Sequence, residues 1–218
     1  MSEDTTINVT GQAEVTTEPD LVRVNFAVTA SDEDQRGVRD QINERSNRLY
    51  EALIGYGIDD DDITTTNFNI RENQRHNEEA DELETVHHGQ YQYQVDVEPE
   101  EVGEVIDCAL DNGANEVQRL QHTLSEETHE EQRDKALTQA VEKARADAEI
   151  VANAEDMEVR AVENMTVEHS SGRPMANHGG QMYALSAGSV EDISTNIQNT
   201  DVTVSASVSV EYNCKHLI

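Results

Sequence analysis

"TTINVTGQAEVTTEPDLVRVNFAVTASDED", residues 5 to 34, carries two alternating runs and then gives way to a helical period. Ile7, Val9, Gly11, Ala13 and Val15 share one face of the first run, the pattern of a half-buried strand. Glu18-Pro19-Asp20 turns the chain, and Val22, Val24, Phe26, Val28 and Ala30 resume the alternation. Two antiparallel neighbours joined by a short turn are the natural expectation. From Asp32 the spacing changes. Val38, Ile42, Arg45, Leu49 and Leu53 recur every three to four residues, one stripe of a helix that runs to about Tyr56. Asp32, Glu33 and Asp34 stand at its positive end, and Gly55 and Gly57 stop it.

The same reading continues downstream. Ile63–Ile70 is expected as a strand with Thr64, Thr66, Phe68 and Ile70 on one face, and Tyr91, Tyr93, Val95 and Val97 mark the next. Pro99 suits a first helical turn, followed by the apolar face Val102, Val105, Ile106, Ala109 and Leu110. Val117, Leu120, His122 and Leu124 form a further strand. Ser125 caps a long helix, about 126 to 155, with the stripe Leu137, Ala140, Val141, Ala144, Ala148, Val151 and Ala152. Residues 157–169 are strand-like, and Val202, Val204, Ala206, Val208, Val210 and Tyr212 give the cleanest alternation in the chain. The order is β-β-α-β-β-α-β-α-β-β. Helices among mainly hairpin-joined strands imply an α+β fold, a largely antiparallel sheet with helices packed on one face. Residues 71–89 and 169–199 read as polar loop insertions in a single domain spanning 1–218.

Charge bounds the function. Forty-six acids face 15 bases, a formal net charge of -31, and only Lys135, Lys143 and Lys215 are lysines. Self-repulsion of that size is screened at about 1 M salt, where the Debye length is about 3 Å. The composition therefore suggests a halophilic globular protein of a salt-rich cytosol. It weighs against nucleic acid and membrane partners, since no basic patch is present to neutralise phosphates. No secretory leader or spanning segment is read, so the expected location is cytoplasmic. Cys108 and Cys214 lie far apart and form no disulfide framework. Cys108 is expected as a buried small hydrophobe and Cys214 as the more exposed thiol.

Three features invite a chemical reading. Asp59–Asp62 is a run of four acids, but a calcium loop begun at Asp61 puts Ile63 at position 3 and Thr66 where Gly belongs. The run reads as a solvated helix-to-strand connection. His87 and His88 are neighbours that an extended chain points apart. With His169 and His178 they form the alternative metal set, for a metal-binding protein or metal-dependent hydrolase. His122 reads as a packed histidine. No phosphate loop, nucleophile elbow or zinc-protease motif is present. No catalytic residue and no cofactor are assigned.

Five places then carry a resemblance: Val9-Thr10-Gly11 leading to Pro19-Asp20; Gly57-Ile58 with Asp62-Ile63 and Thr65; Tyr91-x-Tyr93; Gly113-Ala114-Asn115; and the Ala136–Ala152 helix with the terminal Val-x-Val strand. In that order and spacing the chain resembles the SIMPL domain family, also called DUF541. The resemblance implies an α+β fold and a tendency to form homo-oligomers. It also implies links to oxidative-stress defence in bacteria and to kinase signalling in animals, and it brings no established catalytic residues. The functional expectation is a non-enzymatic, self-assembling protein, stress-associated or binding an unknown protein partner.

Overall fold

The computed structural model describes residues 5–77, 82–168, 175–176 and 201–216. In chain order they form β1 (Thr5–Thr17), β2 (Leu21–Asp32), α1 (Gln35–Tyr56), β3 (Ile63–Asn77), β4 (Glu82–Val97) and α2 (Val102–Asp111). Then come β5 (Glu116–Thr123), α3 (Glu126–Ala154), β6 (Met157–Glu168), the two-residue β7 (Met175–Ala176) and β8 (Val202–His216). The α+β class and the element order match the sequence, with β7 as a short addition. Among the described residues no helix is long and apolar enough to cross a membrane.

The antiparallel strands form two sheets, and the expected single domain takes the form of two compact units. One holds β1, α3, β6, β7 and β8; the other holds β2, α1, β3, β4, α2 and β5. The expected β1–β2 hairpin is not formed. β1 pairs with β8 from Thr5↔Cys214 to Thr17↔Val202, and β2 pairs with β4 and β5. Alternation selects the face a strand buries, not its neighbour, and residues 18–20 serve as the passage from one unit to the other.

In the first unit the strand order is β1-β8-β6, with β7 beside β8. Ala136, Ala140, Ala144, Ala148 and Ala152 recur every fourth residue of α3, and all are buried. The last four meet Ile7, Val208, Val210, Tyr212 and Cys214 in one cluster. Small side chains allow the helix backbone close to the sheet, and Gly11 completes the fit. A Cβ there would overlap the Ala140 carbonyl oxygen and lie 2.8 Å from the Ala144 amide nitrogen. Ser125 Oγ caps α3 by accepting from Thr128 N at 3.2 Å, with Glu126 and Glu127 in the first turn.

The second unit orders its strands β3-β4-β2-β5. Its core joins Val22, Val24, Phe26 and Val28 of β2, Leu49 and Leu53 of α1, Tyr93, Val95 and Val97 of β4, and Val102, Val105 and Ala109 of α2. Ser46 rather than Arg45 completes the buried stripe of α1. Arg45 instead donates through Nη1 to the Thr29 carbonyl at 2.8 Å. Gly113-Ala114-Asn115 turns the chain from α2 into β5. Gly113 has φ 129°, Ala114 is buried, and Asn115 clasps β2, donating to Ala27 O and accepting from Thr29 N, each at 2.8 Å.

Two further expectations change. Residues 71–89 are not a loop insertion, because β3 continues to Asn77 and β4 begins at Glu82, paired as far as Asn77↔Glu82. Polar residues on both faces of this ribbon leave no period to read. A register shift between Thr65 and Asn67 also resets the parity of β3. Phe68 and Ile70 therefore pair with Tyr91 and Gly89 on the helix side, while Thr64 pairs with Gln94 on the opposite face. The other insertion, residues 169–199, lies outside the described residues except for β7 at 175–176.

Candidate functional site

Because Val22, Val24, Phe26 and Val28 take the helix side of β2, Arg23, Asn25, Thr29 and Ser31 take the open side. Gln90, Gln92, Gln94 and His88 of β4 and Asn67, Asn69, Arg71 and Asn73 of β3 join them through the register. The result is an amide-rich sheet face in an acid-rich chain. Its charged side chains include Arg23, Arg71, Arg119, Asp96 and Glu116. Arg23 holds Asp96 bidentately, Nε to Oδ1 at 2.8 Å and Nη2 to Oδ2 at 2.7 Å, and this pairing raises the guanidinium pKa further. Gln92 Nε2 donates to Gln118 Oε1 at 2.7 Å, spanning the fully buried Ala27.

At one end of this face lies an open groove of about 390 Å³. Arg71, Asn69 and Asn73 come from β3, His88 from β4, Ser31 from β2 and Glu116 from the start of β5. Ser31 Oγ and His88 Nδ1 are 2.6 Å apart. When Ser31 donates that bond, the imidazole proton sits on Nε2, which is then a donor toward a ligand. Gln118 Nε2 donates to Glu116 Oε2 at 3.5 Å. The set offers a guanidinium, amide and imidazole donors and one carboxylate, which is chemistry suited to holding a polar ligand by its charged ends.

The metal set is not assembled among the described residues. His88 lines the groove, whereas His87 pairs with Asp32 and Glu72 on the opposite face. His169 and His178 lie outside the described residues. Among the described residues, no group of three or more His, Cys, Asp or Glu side chains is placed to hold a metal ion. His122 is buried.

Asp60–Asp62 form an exposed 3-10 turn. Tyr50 Oη donates to Asp60 Oδ1 at 2.6 Å. Partial burial, followed by the neighbouring charges of Asp96, Asp59 and Asp61, pushes the Asp62 carboxyl above its usual range. Cys108 is half-buried, its Sγ 3.8 Å from the Ala52 carbonyl. Cys214 corrects the expectation of an exposed thiol. It is fully buried because the parity of β8 continues past Tyr212, and burial raises its pKa.

The groove was hidden in the sequence because Arg71, Asn73 and His88 fell in the presumed loop. The signal that could have found it is "QYQYQVDV" (90–97), whose glutamines alternate as regularly as its tyrosines.

The first unit presents a second polar face, of low charge along β1 and β8. Thr6, Asn8, Thr10, Gln12 and Thr16 of β1 stand opposite Asn213, Glu211, Ser209, Ser207 and Thr203 of β8. Thr16 and Thr203 share a hydroxyl hydrogen bond at 3.2 Å, and Ser209 Oγ donates to Asn8 Oδ1 at 3.4 Å. Glu14, Glu211 and Lys215 are the only charged side chains that these two strands place there. β1 ends the sheet order, and its thirteen residues contain no proline, lysine or arginine. Among the described residues, Glu14 is the one charge on this edge, and no proline or basic residue blocks strand pairing there.

A family model described as SIMPL, a protein of unknown function (DUF541), matches residues 7–212. No curated protein matches the chain.

Proposed function

The chain belongs to the SIMPL (DUF541) family, and from that premise we propose that it is a non-enzymatic protein that assembles with copies of itself through the low-charge face and free edge of the β1–β8 pair. The observation that carries this reading is a contrast in charge. A chain of net charge -31 repels its own copies wherever carboxylates meet. The β1–β8 face instead offers hydroxyls and amides, which both donate and accept and so can pair with themselves. A second copy is the occupant that suits such a surface, and the β1 edge supplies backbone groups for a shared sheet.

Non-enzymatic action is supported by a candidate groove whose donors suit holding rather than transforming a ligand. The salt-rich cytosol suggested by the acids is the proposed compartment, and oxidative stress is the setting in which the family resemblance directs the search.

Light scattering in molar KCl tests the assembly. The protein is expected as a defined oligomer, and Thr10→Glu with Asn213→Glu, well separated on the two strands, is expected to leave folded monomer. Facing like charges across an interface cost several kcal/mol. A monomeric parent protein, or a folded double variant of unchanged mass, overturns the reading.

A further inference from the structure

The groove of the second unit goes beyond this reading and is independent of assembly. We propose that it is a binding site for a small, elongated zwitterion, with the ligand's carboxylate at Arg71 and His88 and its ammonium at Glu116.

Arg71 supplies the cationic pole. Acids outnumber bases 46 to 15, and among the described residues Arg23, Arg39, Arg48, Arg145 and Arg160 each lie beside a carboxylate. Arg71, like Arg36, Arg119 and Arg133, is without an ion pair to a described residue; it is exposed, and of these it is the one that lines the groove. A guanidinium presents paired donors that match a carboxylate. The register places Arg71 opposite His88, whose contact with Ser31 orients the imidazole, and the amides of Asn69 and Asn73 flank them on β3. These groups form the carboxylate end.

Glu116 supplies the opposite pole. Among the described residues it is the carboxylate that lines the groove, and it lies on β5, the strand farthest from β3 across the sheet. Through the pairings Arg71↔His88↔Ser31 and Ala27↔Glu116, the two charges stand three strands apart and four residues along. Their backbones are therefore on the order of 20 Å apart; with a contact of about 3 Å at each end and side chains that rise from the sheet leaning inward by about 3 Å each, the ligand itself spans on the order of 8 Å. An extended chain of some six atoms fits that span. A ligand charged at one end only would satisfy one pole and desolvate the other, which costs affinity. Both poles together select a zwitterion, and screening by molar salt weakens short, well-formed contacts least.

Three probes separate the ends: ε-aminohexanoate, hexanoate and hexylamine, each titrated by calorimetry and by amide NMR shifts in molar KCl. ε-Aminohexanoate is expected to bind most tightly, in the millimolar range, with shifts at Asn69, Arg71, His88 and Gln90. Arg71→Gln should weaken it by about tenfold or more, the loss of one charge-assisted pair. Glu116→Gln should lower its affinity to that of hexanoate. Arg145→Gln, an exposed change on α3, should leave all three unchanged. Both groove positions are exposed, so their variants are expected to fold, as circular dichroism will report. No shift with any probe, or equal affinity in the parent protein and Arg71→Gln, overturns the site. Hexanoate binding as tightly as ε-aminohexanoate overturns the role given to Glu116. Oligomer mass enters none of these readouts, so failure here and failure of the assembly reading are distinguishable.

Discussion

The two units solve one problem with different residues. Each covers one face of an antiparallel sheet with a helix and leaves the other face polar, and each places a glycine in the strand beneath that helix. In the first unit Gly11 meets backbone, the Ala140 carbonyl and the Ala144 amide. In the second, Gly89 meets the ends of side chains, Ile42 Cδ1 and Val38 Cγ1. Alanine at every fourth position fixes α3 at the distance set by its own main chain. Branched residues hold α1 further out, and they can shift. The contrast teaches that a glycine's importance depends on what it faces: main chain is unyielding, and a methyl group is not.

Breaking that contrast is the most direct test. Gly11→Val should have the largest effect, because the helix itself must move. Overpacking costs about 1–3 kcal/mol and occasionally more, and this site belongs at or above the top of that range, read by urea unfolding in molar KCl. Gly89→Ala should cost less, about 1–2 kcal/mol, and Ile42→Val in the same chain should recover part of it. An equal cost at both glycines, with no recovery, would mean that backbone and side-chain contacts constrain these sheets alike.

The caps offer a finer comparison. Ser125→Ala in α3 and Asp34→Ala in α1 each remove a side-chain acceptor from a helix start and should each cost about 1 kcal/mol. Alkali should act last and differently on the two cores. Burial raises Cys214 above the ordinary 9.0 in the first unit, and burial, then the nearby Tyr91, raises Tyr93 from 10.0 to about 12 in the second. In both cases the folded state keeps a proton that the unfolded chain has begun to lose. Stability therefore falls as pH rises, from pH 9.0 for the first unit and between pH 10.0 and about 12 for the second. Tyr93→Phe should lessen the second loss, which Tyr56 and Tyr50 share through their bonds to Glu104 and Asp60, and leave the first, as followed by melting against pH.

Much of this architecture was legible because burial on one side imprints a period. Val22 to Val28 gave their strand and its face, and Ala140, Ala144, Ala148 and Ala152 gave the long helix and most of its buried stripe, with Ser125 as its cap; Val151, expected on that stripe, is exposed, and Ala136 takes a place on it instead. What stayed hidden has physical causes. Strand alternation carries no address, so β1 was assigned to β2, its neighbour in the chain, when its partner is β8. The register shift at Thr65/Asn67 reverses a face without leaving a mark in composition. The ribbon from Arg71 to Asn77 and from Glu82 to His88 lacks an apolar alternation, so its strands looked like loop. That misreading removed Arg71 and His88 from the one surface on which they meet. Cys214 was missed because alternation was followed only to Tyr212.

One detail of the topology reaches into synthesis. β8, the central strand of the first unit's sheet, comes from residues 202–216, while its partner β1 comes from residues 5–17. On the ribosome, everything needed for β2 through β5 emerges as a continuous block, but β1 must wait for nearly two hundred residues before its mate appears. During that interval it is an unclaimed ribbon, open to the same segment of a neighbouring nascent chain. Translation speed and the crowding of polysomes thus become variables in whether this protein matures alone or already entangled with its siblings.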